Sequence, residues 1–425
     1  MVQKSTPKTI FFSLLVTLLI VTIPLYSNPT MPFMTKSSDY AAASITRDYW
    51  PTDGWIVDSP ENHGMDSGRL EEVERTIDRN NYAINSLVVV REGYIVYEYY
   101  RAGYSANYVH MIQSCTKCFT STLVGIAIDQ GLIDSVNSTM MEFFDGWTIQ
   151  HVDNRKMNIT IEHLLTWTDG MEFHEIDYPY NDPRNDLGQM WVSDDALQYC
   201  LDRPMWNDPG ESWWMNSGTL IILGGIIEIV SGMSVYDFAQ EYLFEPLGFG
   251  TLYWSQIRGG AAGGWYHTDG GLNLNAHDFA KFGYLMLNNG TWDGNQIVSA
   301  DWVQEAIAPR IGTGWGGSYQ QMGYQWWYWP GQEIYSAHGH YEQALYVSPE
   351  HDLVVVFNGN VPDGEFYPAD SLVRDHIIPA IEGENTLPVT EMVLFFSGLA
   401  LIATAISFLI MRRRRLSGTN ASLME

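Results

Sequence analysis

Apolar positions along the chain follow two rhythms. Leu70, Val73 and Ile77 recur at the spacing of one helix face. "SLVVVREGYIVYEYY" (86–100) reads as two strands joined by a turn at Arg91-Glu92-Gly93. Thr116 to Gln130 has helical length and no proline, and Gly131 stands where a helix stops. The middle, roughly 135–255, is mostly short helical patterns and loops, with a buried helix over Thr219 to Gly232 closed by Gly232. Ala276 to Gly290 predicts another helix. "QALYV" and "LVVVFN" predict a hairpin across Ser348 to Asp352, and Tyr367 to Ile381 a closing helix. Strands at both ends of the body with helices between them predict an α+β fold. Its single antiparallel sheet is built from both termini of the body, flanked by helices, with a mostly helical second subdomain.

Two longer apolar runs lie outside this pattern. Ile10 to Tyr26, "IFFSLLVTLLIVTIPLY", follows Lys4 and Lys8 and reads as a signal peptide or N-terminal anchor. Met392 to Ile410, "MVLFFSGLALIATAISFLI", runs into Arg412, Arg413, Arg414 and Arg415. At ~1.5 Å rise per residue it can cross the hydrocarbon layer. The arginines mark its cytoplasmic end. The expected organisation is therefore a leader or anchor over 1–28 and a tether rich in Ser, Thr and Pro over 29–60. A catalytic body over 61–385 follows, then a membrane helix over 390–411 and a basic tail over 412–425. The body is expected outside the cell, the tail inside, and the bilayer is the expected partner. Asn137-Ser-Thr, Asn158-Ile-Thr and Asn289-Gly-Thr are glycosylation sequons, which suit an external body.

Composition narrows the function. The chain has 425 residues, enough for a large core, and a net charge of −28. Such an acidic surface repels phosphate backbones and argues against nucleic-acid binding. Three cysteines, Cys115, Cys118 and Cys200, cannot make a disulfide framework.

The segment "QSCTKCF" (113–119) holds two overlapping motifs. Ser114 and Lys117 form S-x-x-K and share a helix face. Ser114 at a helix N-terminus is favoured as a developing anion. A half-buried Lys117 can then accept the serine proton. The same pattern also fits a capping serine beside a solvated lysine. Cys115 and Cys118 form C-x-x-C on a neighbouring face, a redox pair or half a zinc site. No second cysteine pair completes four zinc ligands, and Cys118 fits a small apolar core residue.

The context separates these readings. After "QSCTKCF" come "ITIEHLLTWTDGMEF", "PGESWWMNSGTLIILGGIIEIVSG", "GGLNLNAHDFAKFGYLMLNNGTWDGNQIVSADWV" and "SAHGHYEQALYVSPEHDLVVVFNGN". In this order, from about Leu70 to Ile381, they resemble the β-lactamase-related serine hydrolases: class C β-lactamases, family VIII-type esterases, DD-peptidases and nylon-oligomer hydrolases. The resemblance implies the β-lactamase/transpeptidase-like fold and cleavage of a small-molecule or peptide ester or amide without a cofactor. It implies Ser114 as nucleophile and Lys117 as its base. It places "AHGHYEQ" at the family's third motif, with His338 before Gly339, and an oxyanion hole at the N–H groups of Ser114 and of the strand near Tyr341. The second motif departs from the pattern. Where the family carries tyrosine, this chain has Met215, followed by Asn216 and Ser217. A methionine relays no proton. Tyr180, with Tyr178, matches a cleft loop where nylon-oligomer hydrolases carry another functional tyrosine. The alternatives are a binding or sensor protein on the same fold, and a Cys115/Cys118 redox protein.

Three further segments bear on the cleft. His340 and His267 join His338 as histidines expected there, as substrate or backbone partners before metal ligands. "RGGAAGGW" (258–265) lacks the Lys-Ser/Thr ending of a phosphate loop and reads as a cleft-edge loop. "QWWYW" (325–329) fits core and binding wall equally well.

Overall fold

The computed structural model describes residues 47–259, 264–362 and 368–381. Helix α1 (Ser67–Arg79) starts at Asp66, whose side chain accepts the Arg69 N–H as an N-cap. It leads into strands β1 (Ile84–Arg91) and β2 (Tyr94–Tyr100), joined by the expected turn at Glu92-Gly93. Helix α2 (Thr116–Asp129) follows a tight turn over Gln113–Cys115. Short helices fill the middle, among them Asn154–Met157, Ile161–Leu165, Asp186–Val192 and Ala196–Leu201. Helix α3 (Gly218–Ser231) ends at Gly232, whose φ of 69° needs no Cβ. Helix α4 (Ala276–Leu287) precedes the second set of strands. These are β3 (Ile311–Gly312), β4 (Gln321–Met322), β5 (Trp327–Trp329), β6 (Ile334–Gly339), β7 (Gln343–Ser348) and β8 (Leu353–Gly359).

The main sheet has eight strands in the order β3-β4-β5-β6-β7-β8-β1-β2. All its pairs are antiparallel, and β8 beside β1 joins the two termini of the body as the hydrophobic pattern predicts. Within β1 the run Leu87–Val90 is apolar at every position because both faces are covered. Leu87 and Val89 pack with Leu70, Val73 and Ile77 of α1 on one face, whereas Val88 and Val90 join α2, α3 and α4 on the other. On that inner face the Phe119 and Phe282 rings stack at 3.7 Å, locking α2 to α4.

Two expectations change. The closing helix is not continuous. A single α turn, Ala369–Leu372, widens into a π turn over Val373–Ile377 and tightens into a 3-10 turn at Ile378–Ala380, where Pro379 lacks the N–H that a longer helix would use. Residues 47–60, expected inside the tether, lie against the body. The Arg47 guanidinium binds Asp352 through two nitrogens at 2.6 and 2.8 Å, the Tyr49 hydroxyl donates to the Gly93 carbonyl, and Trp50 packs on Tyr284 and Trp292. The earlier part of the tether, the apolar runs 10–26 and 392–410 and the arginine tail lie outside the described residues. Among the described residues no single helix is long and apolar enough to cross a membrane.

Candidate active site

The start of α2 is stapled to one neighbouring segment. The Ile112 N–H donates to the Leu272 carbonyl, the Thr116 hydroxyl accepts from the Leu272 N–H, and the Thr120 hydroxyl donates to the Thr268 carbonyl. Lys117 adds a fourth link, its Nζ donating to the Asp269 carbonyl at 2.8 Å. These bonds fix where the turn before α2 points. That turn carries Ser114, and Gln113 before it has φ 51°, an uncommon conformation for a residue with a Cβ.

Ser114 and Lys117 meet as the three-residue spacing requires. Lys117 Nζ donates to Ser114 Oγ at 2.7 Å, and the lysine is only 3% exposed. The two line a small cavity with Trp167, Met215, Gln325, Trp327 and His338. Its volume is about 20 Å³, enough for roughly one water molecule. Two further lining residues, Trp167 (φ 55°) and Gln325 (φ 68°), also hold the left-handed backbone. Strain of this kind persists only where the surrounding packing imposes it.

The third-motif strand passes directly behind the nucleophile. A Cβ on Gly339 would meet the Ile112 carbonyl at 2.5 Å, and Gln113 Cβ at 3.0 Å. Glycine is required there for β6 to approach Ser114, not for its own conformation. His338 faces the cavity, its Nε2 2.9 Å from the Ser336 hydroxyl, and its ring packs on Tyr319 and Tyr346. Burial pushes the imidazole pKa down, against the field of Asp370, so the ring is neutral near pH 7. Tyr341 and Glu342, in the turn after β6, have φ 62° and 69°.

Tyr180, Tyr178 and Asn216, all singled out by the sequence, do not line the cavity. Tyr180 is 42% exposed and meets the rings of His340 and Trp191 instead. Tyr178 lies under the Arg184 guanidinium at 4.1 Å. Asn216 is buried behind the cavity wall, its amide donating to Asp169 at 3.1 Å and its oxygen accepting the Gly218 N–H. Met215, by contrast, stands in the wall beside Ser114 and Lys117, where the resemblance puts the missing tyrosine.

Sequence reasoning did not pick out three buried acids and one tryptophan. Asp169, Glu175 and Asp269 are each 2% exposed. Burial raises the Asp169 carboxyl to about 7 despite bonds from Met171 N–H and Asn216. Burial also raises Glu175, against the field of Lys117 and two bonds from Ser217. Burial acts to raise Asp269 too, but His267, with Nε2 3.1 Å away, and Lys117 outweigh it and hold it below the usual range. Trp167 carried no signal of its own. "QWWYW" divides: Gln325 and Trp327 line the cavity, while Trp326 is fully buried in the core.

The cysteines do not form the alternative site. Cys115 and Cys118 are free thiols, 0% and 1% exposed, donating to the carbonyls of Gln343 and Gln325. Burial raises both well above the ordinary thiol range, which removes the thiolate that redox chemistry needs. Among the described residues no cluster of His, Cys, Asp and Glu is arranged to hold a metal ion.

A family model for β-lactamases matches residues 74–377. The chain is 26% identical to the 6-aminohexanoate-dimer hydrolase of Paenarthrobacter ureafaciens over 318 residues, 69% of this chain and 76% of that one. Among solved structures it is similar to a penicillin-binding protein homologue from Pyrococcus abyssi. The TM-score is 0.60 at 19% identity, over 76% of this chain and 80% of that one. It is also similar to the D-amino acid amidase of Ochrobactrum anthropi SV3, with TM-score 0.60 at 14% identity, over 75% and 99%. These structural likenesses show the shared α+β fold.

Proposed function

The chain belongs to the β-lactamase family of serine hydrolases, and from that premise we propose that it cleaves an ester or amide through an acyl-enzyme on Ser114. The observation that carries this reading is the 2.7 Å contact between Lys117 Nζ and Ser114 Oγ inside a lined cavity. As Ser114 Oγ bonds to the substrate carbonyl carbon, Lys117 in its neutral form takes the hydroxyl proton. The carbonyl oxygen becomes an oxyanion, held by the N–H of Ser114 and of the turn at Tyr341. The carbonyl–leaving-group bond then breaks, and the leaving group needs a proton. The Met215 thioether holds none to give. The proton that Lys117 took from Ser114 is the one available, and the neutral His338 imidazole in the same cavity relays it to the leaving group, accepting on one ring nitrogen as it gives from the other. In the second half a water oxygen bonds to the acyl carbon as Lys117 takes its proton, the bond from that carbon to Ser114 Oγ breaks, and the proton passes from Lys117 to Oγ as the acid leaves.

Esters tolerate a poorly placed acid better than amides, so esters are the favoured substrates. The apolar run 10–26 and the run 392–410 with its Arg412–Arg415 flank support a body held at the outer face of the membrane with its tail in the cytoplasm. Met215 also favours a second reading, a binding or sensor protein on the same fold. One experiment separates the two: fluorophosphonate labelling and an ester and amide panel on the full chain, with Ser114→Ala as control. Labelling at Ser114 with ester turnover supports the hydrolase. A folded protein with no label and no turnover supports the sensor. Protease added to intact cells tests the topology: it should degrade the body and spare a tag placed after Glu425.

A further inference from the structure

The stretch Met215-Asn216-Ser217 meets the cavity with its first residue and is gripped from behind at the other two. Glu175 Oε2 accepts the Ser217 N–H at 2.8 Å and Oε1 accepts the Ser217 hydroxyl at 2.8 Å. Asp169 Oδ1 accepts the Asn216 amide at 3.1 Å and the Met171 N–H at 2.9 Å. Both acids are almost fully buried.

A buried carboxyl is a costly way to fasten a helix start. The first turn of α3 could be capped by an uncharged side chain at its own N-cap, yet Ser217 there makes no such bond with its own helix. Its hydroxyl turns to Glu175 instead. Lys117 is the largest opposite charge acting on Glu175. The acid therefore touches both halves of the site: the backbone behind Met215 by direct bonds, and the amine beside Ser114 by its field.

We propose that Glu175 is a positioning residue for the reaction, holding the Met215–Ser217 segment against Ser114 through Ser217 and stabilising positive charge at Lys117 as that amine takes the serine proton. This rests on the acyl-enzyme reading above. With a thioether in the wall, no side-chain hydrogen bond from Met215 can hold that wall in register. Its placement depends on the backbone that Glu175 fixes.

The test uses the full chain and counts active molecules by fluorophosphonate-titratable Ser114. Glu175→Gln keeps the shape and one accepting oxygen but removes the charge. Its kcat for an ester should fall roughly 10- to 100-fold, the scale of a slightly misplaced wall, with KM within about twofold. The pH at which labelling is half-maximal should move down, because the protonated amine loses an anionic neighbour. Ser217→Ala keeps the backbone bond and loses the hydroxyl one, so its kcat should fall less, in the same direction. A Glu175→Gln protein that melts lower but keeps wild-type kcat per titratable serine and the wild-type pH midpoint overturns the proposal. If Glu175→Gln fails to fold, an unchanged kcat in Ser217→Ala overturns it. A wild-type chain whose Ser114 takes no label overturns the acyl-enzyme reading instead, before any variant is compared.

Discussion

Lys117 and Lys156 are both buried amines, at 3% and 0% exposure, and their surroundings differ in kind. Lys156 lies in the short helix Asn154–Met157 and donates to three carbonyls: Gln150 at 3.0 Å, Leu201 at 2.7 Å and Arg203 at 2.6 Å. Every N–H has a backbone acceptor, and one side chain ties its own short helix to residue 150 and to the 201–203 segment. Lys117 donates to one carbonyl, Asp269, and to the Ser114 hydroxyl. Among the described residues, its third N–H is left to the cavity. A buried lysine with three carbonyls has nothing to react with. One that shares its bonds with a hydroxyl in a small cavity is built to exchange a proton.

Breaking the first side of this comparison has the largest expected effect. Lys117→Met should lower ester turnover by roughly 10³-fold or more, since nucleophile and base act as a unit. Its melting temperature should move little, because one carbonyl and one hydroxyl lose a partner beside a cavity that admits water. Turnover per folded molecule within tenfold of wild type would remove Lys117 from the chemistry.

Lys156→Met should do the reverse. Three carbonyls, that of Leu201 buried and those of Gln150 and Arg203 partly so, lose their donor, at ~1–3 kcal/mol for each left unsatisfied. A loss of about 4 kcal/mol in a denaturant titration is expected, with turnover per fluorophosphonate-titratable Ser114 unchanged. If activity falls in step with Lys117→Met while stability holds, the two lysines are not different in kind.

How far the sequence carries this contrast depends on what each residue's neighbours in the chain reveal. Ser114 and Lys117 are legible because their spacing and the helix start are local facts. The sheet is legible because β1, β7 and β8 each carry a continuous apolar run of four or five residues, which a sheet covered on both faces can use. Lys156 carries no such sign: its three carbonyls come from residues 150, 201 and 203. Asp169 and Glu175 escaped notice because acids are expected at the surface, and their partners at 216 and 217 lie some forty residues on. Loop position alone suggests Tyr180 by analogy, and the loop turns its ring toward His340 rather than into the cavity. Residues 47–60 have the composition of a tether, but Arg47, Trp50 and Trp55 find partners only in the folded body, at Asp352, at Tyr284 and Trp292, and at the His277 carbonyl.

The pH dependence of stability sharpens the same comparison. Burial lowers the Lys156 amine to about 8, against an ordinary 10.5. Between those values the unfolded chain holds a proton that the folded one has released, so stability rises with pH across that window. Below about 8 both states are charged, so the slope vanishes and the full cost of the buried charge is present. The shift corresponds to at most roughly 3 kcal/mol. Denaturant midpoints measured from pH 7.5 to 10.5 should show this rise in wild type and a flatter profile in Lys156→Met. Parallel profiles would mean that Lys156 is charged throughout.

The smallest expected effect concerns the wall opposite Lys117. The Lys156 site is complete, whereas the Lys117 site lacks a proton donor where Met215 stands. Met215→Tyr supplies a phenol facing Ser114, in a cavity with room for about one water. If the leaving group is short of a proton, the phenol helps most where the leaving group is worst. Amide turnover should then rise about tenfold, near the low end of what general acid help provides, while ester turnover changes by less. His338→Ala should lower the wild-type rate and lower it less in the Met215→Tyr background, because the phenol takes over the donation. Equal effects of His338→Ala in both backgrounds would show that the two groups do not share a role. An amide rate in wild type already equal to the ester rate would show that the thioether leaves no proton missing, and that the wall opposite Lys117 is as complete as the carbonyl cage of Lys156.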